Sequence, residues 1–261
     1  VKGWSGNYPV LPGSLAQIGV LYGDDPLDLR AYEGNPVITP GPEWYDVNGC
    51  RTEGCSVIWD PINQVYRLYY IGVGNDGVMR ICMATSEDLL EWTKQGVVVE
   101  STTPGKDVRF FGVVGGTAKG EPIFLGVTWD LATHTLDLYL SEDGGVTWTR
   151  RHTIARALLG KPATRLWPGE CEVIQFTKVG NVHVIFGEFL SRDTEGREFG
   201  YSISALASLN PLKEGSWWMV PDIFLTETPD EMSPIWHVLH PWLIIGPHGA
   251  VMYFMRSPLV Q

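Results

Sequence analysis

The chain has 261 residues, of which 44% are hydrophobic and 19% charged, so it is long enough to bury one sizeable core. Thirty acidic against nineteen basic residues give a formal net charge of −11, without a basic run. A phosphate-binding surface needs the opposite balance, so neither nucleic acid nor an anionic membrane is an expected partner. No apolar stretch approaches the roughly 18 residues of a spanning helix, and no membrane insertion is expected.

Aromatic residues, glycine and proline dominate the rest of the composition, with 11 Trp, 10 Tyr, 9 Phe, 30 Gly and 18 Pro. Such a profile favours many short strands joined by tight turns, because glycine and proline shorten helices. Only 155–160 and 205–212 suit a helical turn or two.

The amino terminus lacks both an initiator Met and the basic-then-apolar pattern of a signal peptide, which leaves a removed secretion signal open. Four cysteines are too few for a disulfide scaffold and lack zinc-binding spacing. Cys50 and Cys55 are close enough in sequence to close a small loop, and burial as free thiols is the alternative.

Four groups of short β runs follow one another along the chain, each interrupted by turn residues. They predict four-stranded antiparallel meanders at 56–59, 66–71, 78–84 and 96–99; at 110–114, 122–127, 135–140 and near 152–154; and at 171–176, 182–189, 199–205 and 217–220. The carboxy-terminal runs 242–245 and 251–255 form only an inner hairpin, whereas 17–22 and 35–38 resemble an outer pair.

Joining the two termini completes a fourth blade and closes a ring, as a β-propeller protects its edges. The sequence therefore predicts a single all-β propeller domain over 1–261, with four blades counted and five if one is degenerate. A β-sandwich with accidental regularity is the alternative.

Two turn motifs support the propeller. The segment Ser-Glu-Asp-Gly-Gly-Val-Thr-Trp at 141–148 matches S-x-D-x-G-x-T-W, the Asp-box hairpin of sialidases and other propellers. Its expected role is structural, because the carboxylate and hydroxyl bond within the turn and the glycines allow positive φ.

The related segment Ala-Thr-Ser-Glu-Asp-Leu-Leu-Glu-Trp at 84–92, with Tyr69-Tyr70 before it and Asn-Pro-Val-Ile at 35–38, resembles the five-bladed propeller glycosidases. These comprise the arabinanase and xylosidase group, the invertase and levansucrase group, and the mannoside phosphorylases. The resemblance implies a carbohydrate-active enzyme, an extracellular or cell-surface location and an oligo- or polysaccharide partner. Oligomeric state is not indicated.

In a propeller, ligands bind at one end of the channel, against residues from the loops before the inner strands and from their first positions. Those segments are 51–54, 107–109, 169–172 and 237–240, and three of them carry carboxylates. Glycoside hydrolysis needs one protonated and one ionised carboxyl group. The resemblance implies that Glu53 is the base or nucleophile, Asp107 the pKa-tuning carboxylate and Glu170 the acid.

Glu170-Cys171 resembles the Glu-Cys pair of the invertase group, although Glu172 replaces the usual Pro. Glu53 stands where those families use Asp before Pro, a pair found here only at Asp60-Pro61. The alternative for Glu53 and Asp107 is a structural role in turns or in ion pairs with neighbouring arginines. Further substrate-binding candidates are charged, aromatic or imidazole residues near the same segments: Arg51, Arg109, Trp167, Glu172, Trp236, His237 and His240. Trp44 and Tyr45 are additional aromatic candidates for stacking on sugar rings.

The expected function is a glycoside hydrolase acting on a furanoside or related glycan. A non-catalytic glycan-binding or structural propeller, for example in a surface or virion assembly, is the alternative, and a sialidase-like hydrolase is a third. No cofactor and no metal cluster is expected, with a structural calcium ion left open.

Overall fold

The computed structural model describes residues 3–4, 15–25, 28–51, 56–118, 121–156, 171–192, 198–220, 236–246 and 249–258. Over these residues the protein is all-β, with strands β1 to β19 and no helix, as the composition predicts. A helix long and apolar enough to cross a membrane is therefore also absent from this part of the chain. The possible helical turn at 205–212 is wrong, since 205–208 belong to a strand.

Short pairs make up the amino-terminal part: β1 (Gly3–Trp4) with β2 (Ala16–Gln17), and β3 (Leu21–Tyr22) with β4 (Arg30–Ala31). Ile18 and Ile38 form an isolated antiparallel bridge, in which the Ile18 N–H donates to the Ile38 carbonyl at 2.9 Å. This bridge joins the two segments predicted as an outer pair.

The first large sheet is a meander whose apolar residues face two layers of core. Its strands are β5 (Cys50–Arg51), β6 (Val57–Asp60), β7 (Val65–Val73), β8 (Met79–Ser86) and β9 (Thr93–Val99). They are ordered β5-β7-β8-β9, and β6 also pairs with β7. Tyr69, Tyr70 and Ile71 are fully buried in succession, so neighbouring segments cover both faces of β7.

Two four-stranded antiparallel sheets follow, each in sequence order. The second sheet contains β10 (Val108–Ala118), β11 (Glu121–Asp130), β12 (Thr135–Ser141) and β13 (Thr149–Arg156). The third contains β14 (Cys171–Val179), β15 (Val182–Arg192), β16 (Glu198–Ser208) and β17 (Trp218–Met219). A carboxy-terminal hairpin of β18 (Trp236–Gly246) and β19 (Gly249–Pro258) completes the chain. The predicted four-stranded units are thereby confirmed.

Hydrophobic clusters join successive sheets face to face. Phe111, Tyr69 and Tyr139 belong to a cluster shared by the first and second sheets, whereas Phe110 and Phe176 belong to one shared by the second and third. The adjacent residues Phe110 and Phe111 therefore point into different interfaces. Burying aromatic side chains on both faces makes β10 a central element of the packing.

The motif at 141–148 forms the hydrogen bonds expected of it. Ser141 Oγ donates to Asp143 Oδ1 at 2.7 Å, and Asp143 accepts the backbone N–H of Thr147 at 2.9 Å. The indole of Trp148 donates to the Gly145 carbonyl at 3.2 Å. These bonds fix the turn between β12 and β13, so this motif is structural.

The corresponding turn between β8 and β9 has the same design. Ser86 Oγ donates to Asp88 Oδ1 at 3.0 Å, and Trp92 Nε1 donates to the Leu89 carbonyl at 2.9 Å. A third version joins β16 to β17, where Trp217 Nε1 donates to the Pro211 carbonyl at 3.3 Å. The same turn in three sheets marks them as copies of one unit.

The strand pairings leave ring closure open. Over the described residues, β18 and β19 form a sheet of two strands that is separate from the amino-terminal pairs. Closure of the ring by the two termini therefore stays a prediction.

Candidate functional site

The innermost strands of the successive sheets pack side by side. Val113 N on β10 donates to Ser56 Oγ, just before β6, at 2.9 Å. A Cβ on Gly112 would lie 2.7 Å from the backbone nitrogen of Phe176 on β14. The three inner strands are thus packed against one another.

Each of these strands has a register shift close to its start. In β10 the pairing changes between Arg109 and Gly112, in β14 between Cys171 and Ile174, and in β18 between Leu239 and Trp242. The first inner strand is interrupted at the same place, because Arg51 ends β5 and Val57 begins β6. Bulges of this kind re-aim side chains next to functional sites.

These interruptions allow the residues of the four inner strands to be aligned with one another. Arg51, Arg109, Cys171 and Leu239 are the last residues before the interruption. Two of these four positions carry a guanidinium group, so adjacent inner strands present arginine at the same place. In the next position, Phe110, Glu172 and His240 correspond, which places the last two at equivalent points of the third sheet and the hairpin.

Several predicted site residues belong to strands instead of the loops before them. Arg109 lies in β10 and Glu172 in β14, while Trp236, His237 and His240 lie in β18. The fourth inner strand therefore begins earlier than the sequence predicts, and segment 237–240 lies at its first positions. The reason is physical: a bulge breaks the alternation of side chains, so strand and loop look alike in sequence. The structure describes the backbone, and not the side chains, of Glu172 and of these β18 residues.

Three further candidates, Glu53, Trp167 and Glu170, lie outside the described residues. Their predicted roles stay predictions.

Asp107 is half-buried where the first and second sheets meet. Its Oδ1 accepts the backbone N–H of Met79 at 2.9 Å, and its carbonyl accepts that of Leu131 at 3.2 Å. No described residue donates to Oδ2. One carboxylate oxygen therefore holds the start of β8.

The alternative ion pair of Asp107 with Arg109 is not formed. The Arg109 carbonyl accepts Thr128 Oγ1 at 2.8 Å, and its side chain is half-buried. Nε of this guanidinium is buried without a hydrogen-bond partner among the described residues. A buried, unsatisfied N–H is unfavourable unless another group accepts it, so Arg109 Nε requires an acceptor from beyond the described residues.

Trp44 lies at the same end of the first sheet as Asp107. Half of its surface is exposed (50%), and the Arg80 guanidinium carbon lies 4.9 Å from the centre of its ring. Arg80 directly follows Met79, whose N–H is bound by Asp107. Tyr45, the other additional aromatic candidate, is buried and packs in the core. Trp44 was predicted from the sequence, whereas Arg80 was not. The only sequence feature that points to Arg80 is its basic character just after the Gly-rich turn at 74–77.

Asp46 organises a buried polar cluster behind this surface. Its Oδ2 accepts the Tyr70 hydroxyl at 2.9 Å and forms an ion pair with Lys94 Nζ at 2.5 Å. Cys50 is a buried free thiol 3.5 Å from the same oxygen, so it does not form the loop disulfide with Cys55. Burial and the Asp46 charge raise the pKa of Cys50, which keeps the thiol protonated and unreactive.

The described residues contain no group of three His, Cys, Asp or Glu side chains arranged to hold a metal ion.

No protein-family model and no curated protein matches the chain. Solved structures do match. A mutant of the α-L-arabinanase from Cellvibrio cellulosa has a TM-score of 0.63 at 12% identity, over 94% of this chain and 82% of that one. The exo-β-1,3-galactanase from Phanerochaete chrysosporium gives 0.59 at 9%, over 92% and 54%. The β-fructofuranosidase from Schwanniomyces occidentalis gives 0.52 at 13%, over 79% and 44%.

These similarities establish the fold that the chain shares with propeller glycoside hydrolases. They include an arabinanase and a fructofuranosidase, the two groups that the sequence motifs resemble. The chain spans most of the arabinanase but about half of the galactanase and less of the fructofuranosidase.

Proposed function

We propose that the protein is a glycoside hydrolase whose active site lies on the surface formed by the starts of the inner strands. The observation that carries this proposal is the half-buried Asp107, whose Oδ2 has no donor among the described residues, two positions before Arg109, whose Nε is buried without a partner among them. A carboxylate and a hydrogen-bond donor at one place suit a transition state that develops charge at the sugar. The shared fold with three glycan-hydrolysing enzymes supports the same activity.

The proposed division of roles follows the order of the carboxylates along the chain. Glu53 activates water or attacks the sugar, Glu170 protonates the leaving oxygen, and Asp107 tunes the acid and stabilises the transition state. Arg51 and Arg109 donate hydrogen bonds to hydroxyl oxygens of the substrate. Glu172, His237 and His240 also bind its hydroxyl groups. Trp167 and Trp236 stack on sugar rings. A furanoside or a related neutral glycan is the proposed substrate class.

The test is reducing-sugar release from arabinan, β-1,3-galactan and fructan. On whichever polymer the wild type cleaves, we expect Glu170→Gln to abolish turnover and Asp107→Asn to lower kcat by about 10²- to 10⁴-fold, the usual scale of proton-transfer catalysis. Both variants remain folded by circular dichroism. Glu142→Gln is the matched control, because Glu142 is exposed in the turn between β12 and β13. Full turnover by Glu170→Gln would falsify the assignment of the acid.

A second candidate is a propeller that binds glycan without cleaving it. The hydrogen bond from Met79 to Asp107 favours it, because that bond gives the carboxylate a structural task independent of catalysis. Binding of arabino- or galacto-oligosaccharides without any product would support this candidate over hydrolysis.

The proposed site requires a closed channel, so ring closure is part of the proposal. In the proposed closed ring, the amino-terminal strands complete the sheet begun by β18 and β19. Hydrogen exchange tests the pairing: deletion of residues 1–22 is expected to remove amide protection from 236–258 and to leave protection of 65–86 in place. Unchanged protection of the hairpin would contradict closure by the termini.

A further inference from the structure

Trp44 combines exposure with rigid support, which is unusual for a large aromatic side chain. Its exposed fraction is 50%, although a tryptophan is more often buried. One side of the indole is covered by the Arg80 guanidinium, 4.9 Å from the ring centre, and the buried Tyr45 ring contacts it edge-on at 5.9 Å. The Trp44 carbonyl also accepts the Asn75 N–H at 2.8 Å.

Arg80 is itself held by two carboxylates, so the guanidinium that packs against the Trp44 ring has little freedom to move. Its Nη2 and Nη1 bind the two oxygens of Asp76 at 2.6 and 3.0 Å, and its Nε binds Glu100 at 2.8 Å. The Arg80 side chain is only 8% exposed. A ring held in this way loses little conformational freedom when a ligand stacks on it.

The position of this stack relates it to the proposed active site. Asp76 and Arg80 flank the start of β8, and the Met79 N–H between them is bound by Asp107. Trp44, through Arg80, therefore lies at the same end of the first sheet as the half-buried carboxylate.

The charges around Trp44 select the kind of ligand. Glu43, Asp76 and Glu100 are exposed carboxylates next to the indole or its support, and the last two are paired with the Arg80 cation. Carboxylates accept hydrogen bonds from hydroxyl groups and repel anionic ligands. An aromatic face bordered by such acceptors matches an uncharged sugar ring, which has an apolar C–H face and hydroxyl groups at its edge.

We propose that Trp44, supported by Arg80, is a binding subsite for a neutral sugar unit of an oligosaccharide that extends towards Asp107. This inference rests on the proposed function for the location of the cleaved bond, and the binding of a sugar ring to Trp44 stands without cleavage.

The test is titration calorimetry of the wild type, Trp44→Ala, Trp44→Phe and Trp59→Ala. The probes are linear arabino-oligosaccharides of two to six units, β-1,3-galactotriose and oligogalacturonates of matching length. Trp59 is the matched control, because it is 46% exposed and pairs with Tyr66 at the opposite end of β7. Hydrolysis of the same probes is measured in parallel.

For the neutral probe that the wild type binds, we expect Trp44→Ala to weaken affinity about five- to tenfold, the usual scale of one aromatic contact. Trp44→Phe retains most of the affinity, and Trp59→Ala leaves it unchanged. Where turnover occurs, Trp44→Ala raises KM and leaves kcat within about twofold, since a remote subsite contributes uniform binding.

Each other outcome decides between the two proposals. Affinity of Trp44→Ala within twofold of the wild type overturns the subsite while leaving hydrolysis in place. Binding that depends on Trp44 without any product upholds the subsite and overturns the hydrolase. Preference for oligogalacturonates overturns the neutral specificity, and no binding of any probe by the wild type overturns the subsite.

Discussion

Asp60 and Arg67 form an ion pair that is almost wholly removed from solvent. Arg67 Nη2 lies 2.6 Å from Asp60 Oδ2, with exposed side-chain fractions of 6% and 0%. Asp60 also accepts the Ile62 N–H at 2.9 Å, and Arg67 Nε donates to the Gly144 carbonyl at 2.7 Å. Both charged groups are satisfied by hydrogen bonds. The bond from Arg67 to the Gly144 carbonyl joins the first sheet to the turn of the second.

Loss of the Arg67 cation therefore leaves the buried Asp60 carboxylate without its counter-ion and the Gly144 carbonyl without its Arg67 donor. We expect Arg67→Met to lower the free energy of unfolding by about 3–5 kcal/mol, the scale for breaking a buried pair from one side. Urea denaturation measures it. Arg30→Met is the control, because Arg30 and Asp28 are 75% and 74% exposed and 3.8 Å apart, and we expect a change within about 0.5 kcal/mol. Equal effects of the two variants would contradict the importance of burial.

The role of Asp60 shows what residue patterns can and cannot predict. The sequence places Asp60-Pro61 in a turn away from the axis, and the structure uses its carboxylate for Arg67, Ile62 and Asn63. Composition and turn chemistry suffice for that prediction. The partner at Gly144 could not be predicted, because it is distant in sequence and depends on the docking of two sheets.

The turn between β12 and β13 is the element that docks one sheet against the next. Gly145 has a positive φ of 86°, and its carbonyl accepts the Tyr69 hydroxyl of β7 at 2.7 Å. A Cβ at this position would collide with that same hydroxyl. The turn thus needs glycine for its backbone conformation and for the close approach of Tyr69.

Gly145→Ala separates these two requirements when it is compared with Gly77→Ala. Gly77 also has a positive φ, 76°, but a Cβ there meets no atom within 4 Å. We expect Gly77→Ala to cost about 1 kcal/mol of stability for the backbone alone. Gly145→Ala adds the collision and the weakened Tyr69 bond, giving at least about 3 kcal/mol. Thermal unfolding of both variants is the measurement, and similar losses would show that Tyr69 does not depend on this turn.

Elements were easier to predict than their interruptions. Alternating apolar residues and turn signals locate β7, β8, β11 and β12 within a few residues. The bulge at Phe110 and Phe111 escaped prediction, because two neighbouring aromatics fit an ordinary strand and only the packed structure turns them into different interfaces. The third turn, at Ser208 and Trp217, was missed because Asn210 replaces the aspartate of the motif.

At the scale of the whole molecule, the sequence predicts a candidate location for the site, but it does not predict the contacts of the residues there. Repeats show where inner strands begin, which leads to Asp107 and Arg109. Their separate hydrogen bonds, to Met79 and Thr128, come from contacts between sheets and between strands that no local pattern encodes.

Protonation of buried histidines and of aspartates in turns makes the stability of the whole fold depend on pH in two ranges. Burial lowers the pKa of His152 and His183 below the ordinary value of 6.5. Burial alone would raise the pKa of Asp60 and Asp143, but hydrogen bonds outweigh it and the net pKa of each falls below 3.8. A group whose pKa is lower in the folded protein binds its proton first in the unfolded chain. Stability from such groups is present above the ordinary pKa and lost as the pH falls below it.

The histidine range is the one that can be isolated, because the net charge of −11 also changes between pH 7.5 and 5 and acts on every variant alike. We compare the wild type with the His152→Leu, His183→Leu double variant by urea denaturation at pH 7.5, 5.0 and 3.0. The wild type is expected to lose stability relative to the double variant between pH 7.5 and 5.0, since only its unfolded chain gains those two protons readily. Below pH 4 both proteins lose stability together as Asp60 and Asp143 are protonated. A difference between the two proteins that stays constant from pH 7.5 to 5.0 would show that the buried histidines carry no such linkage.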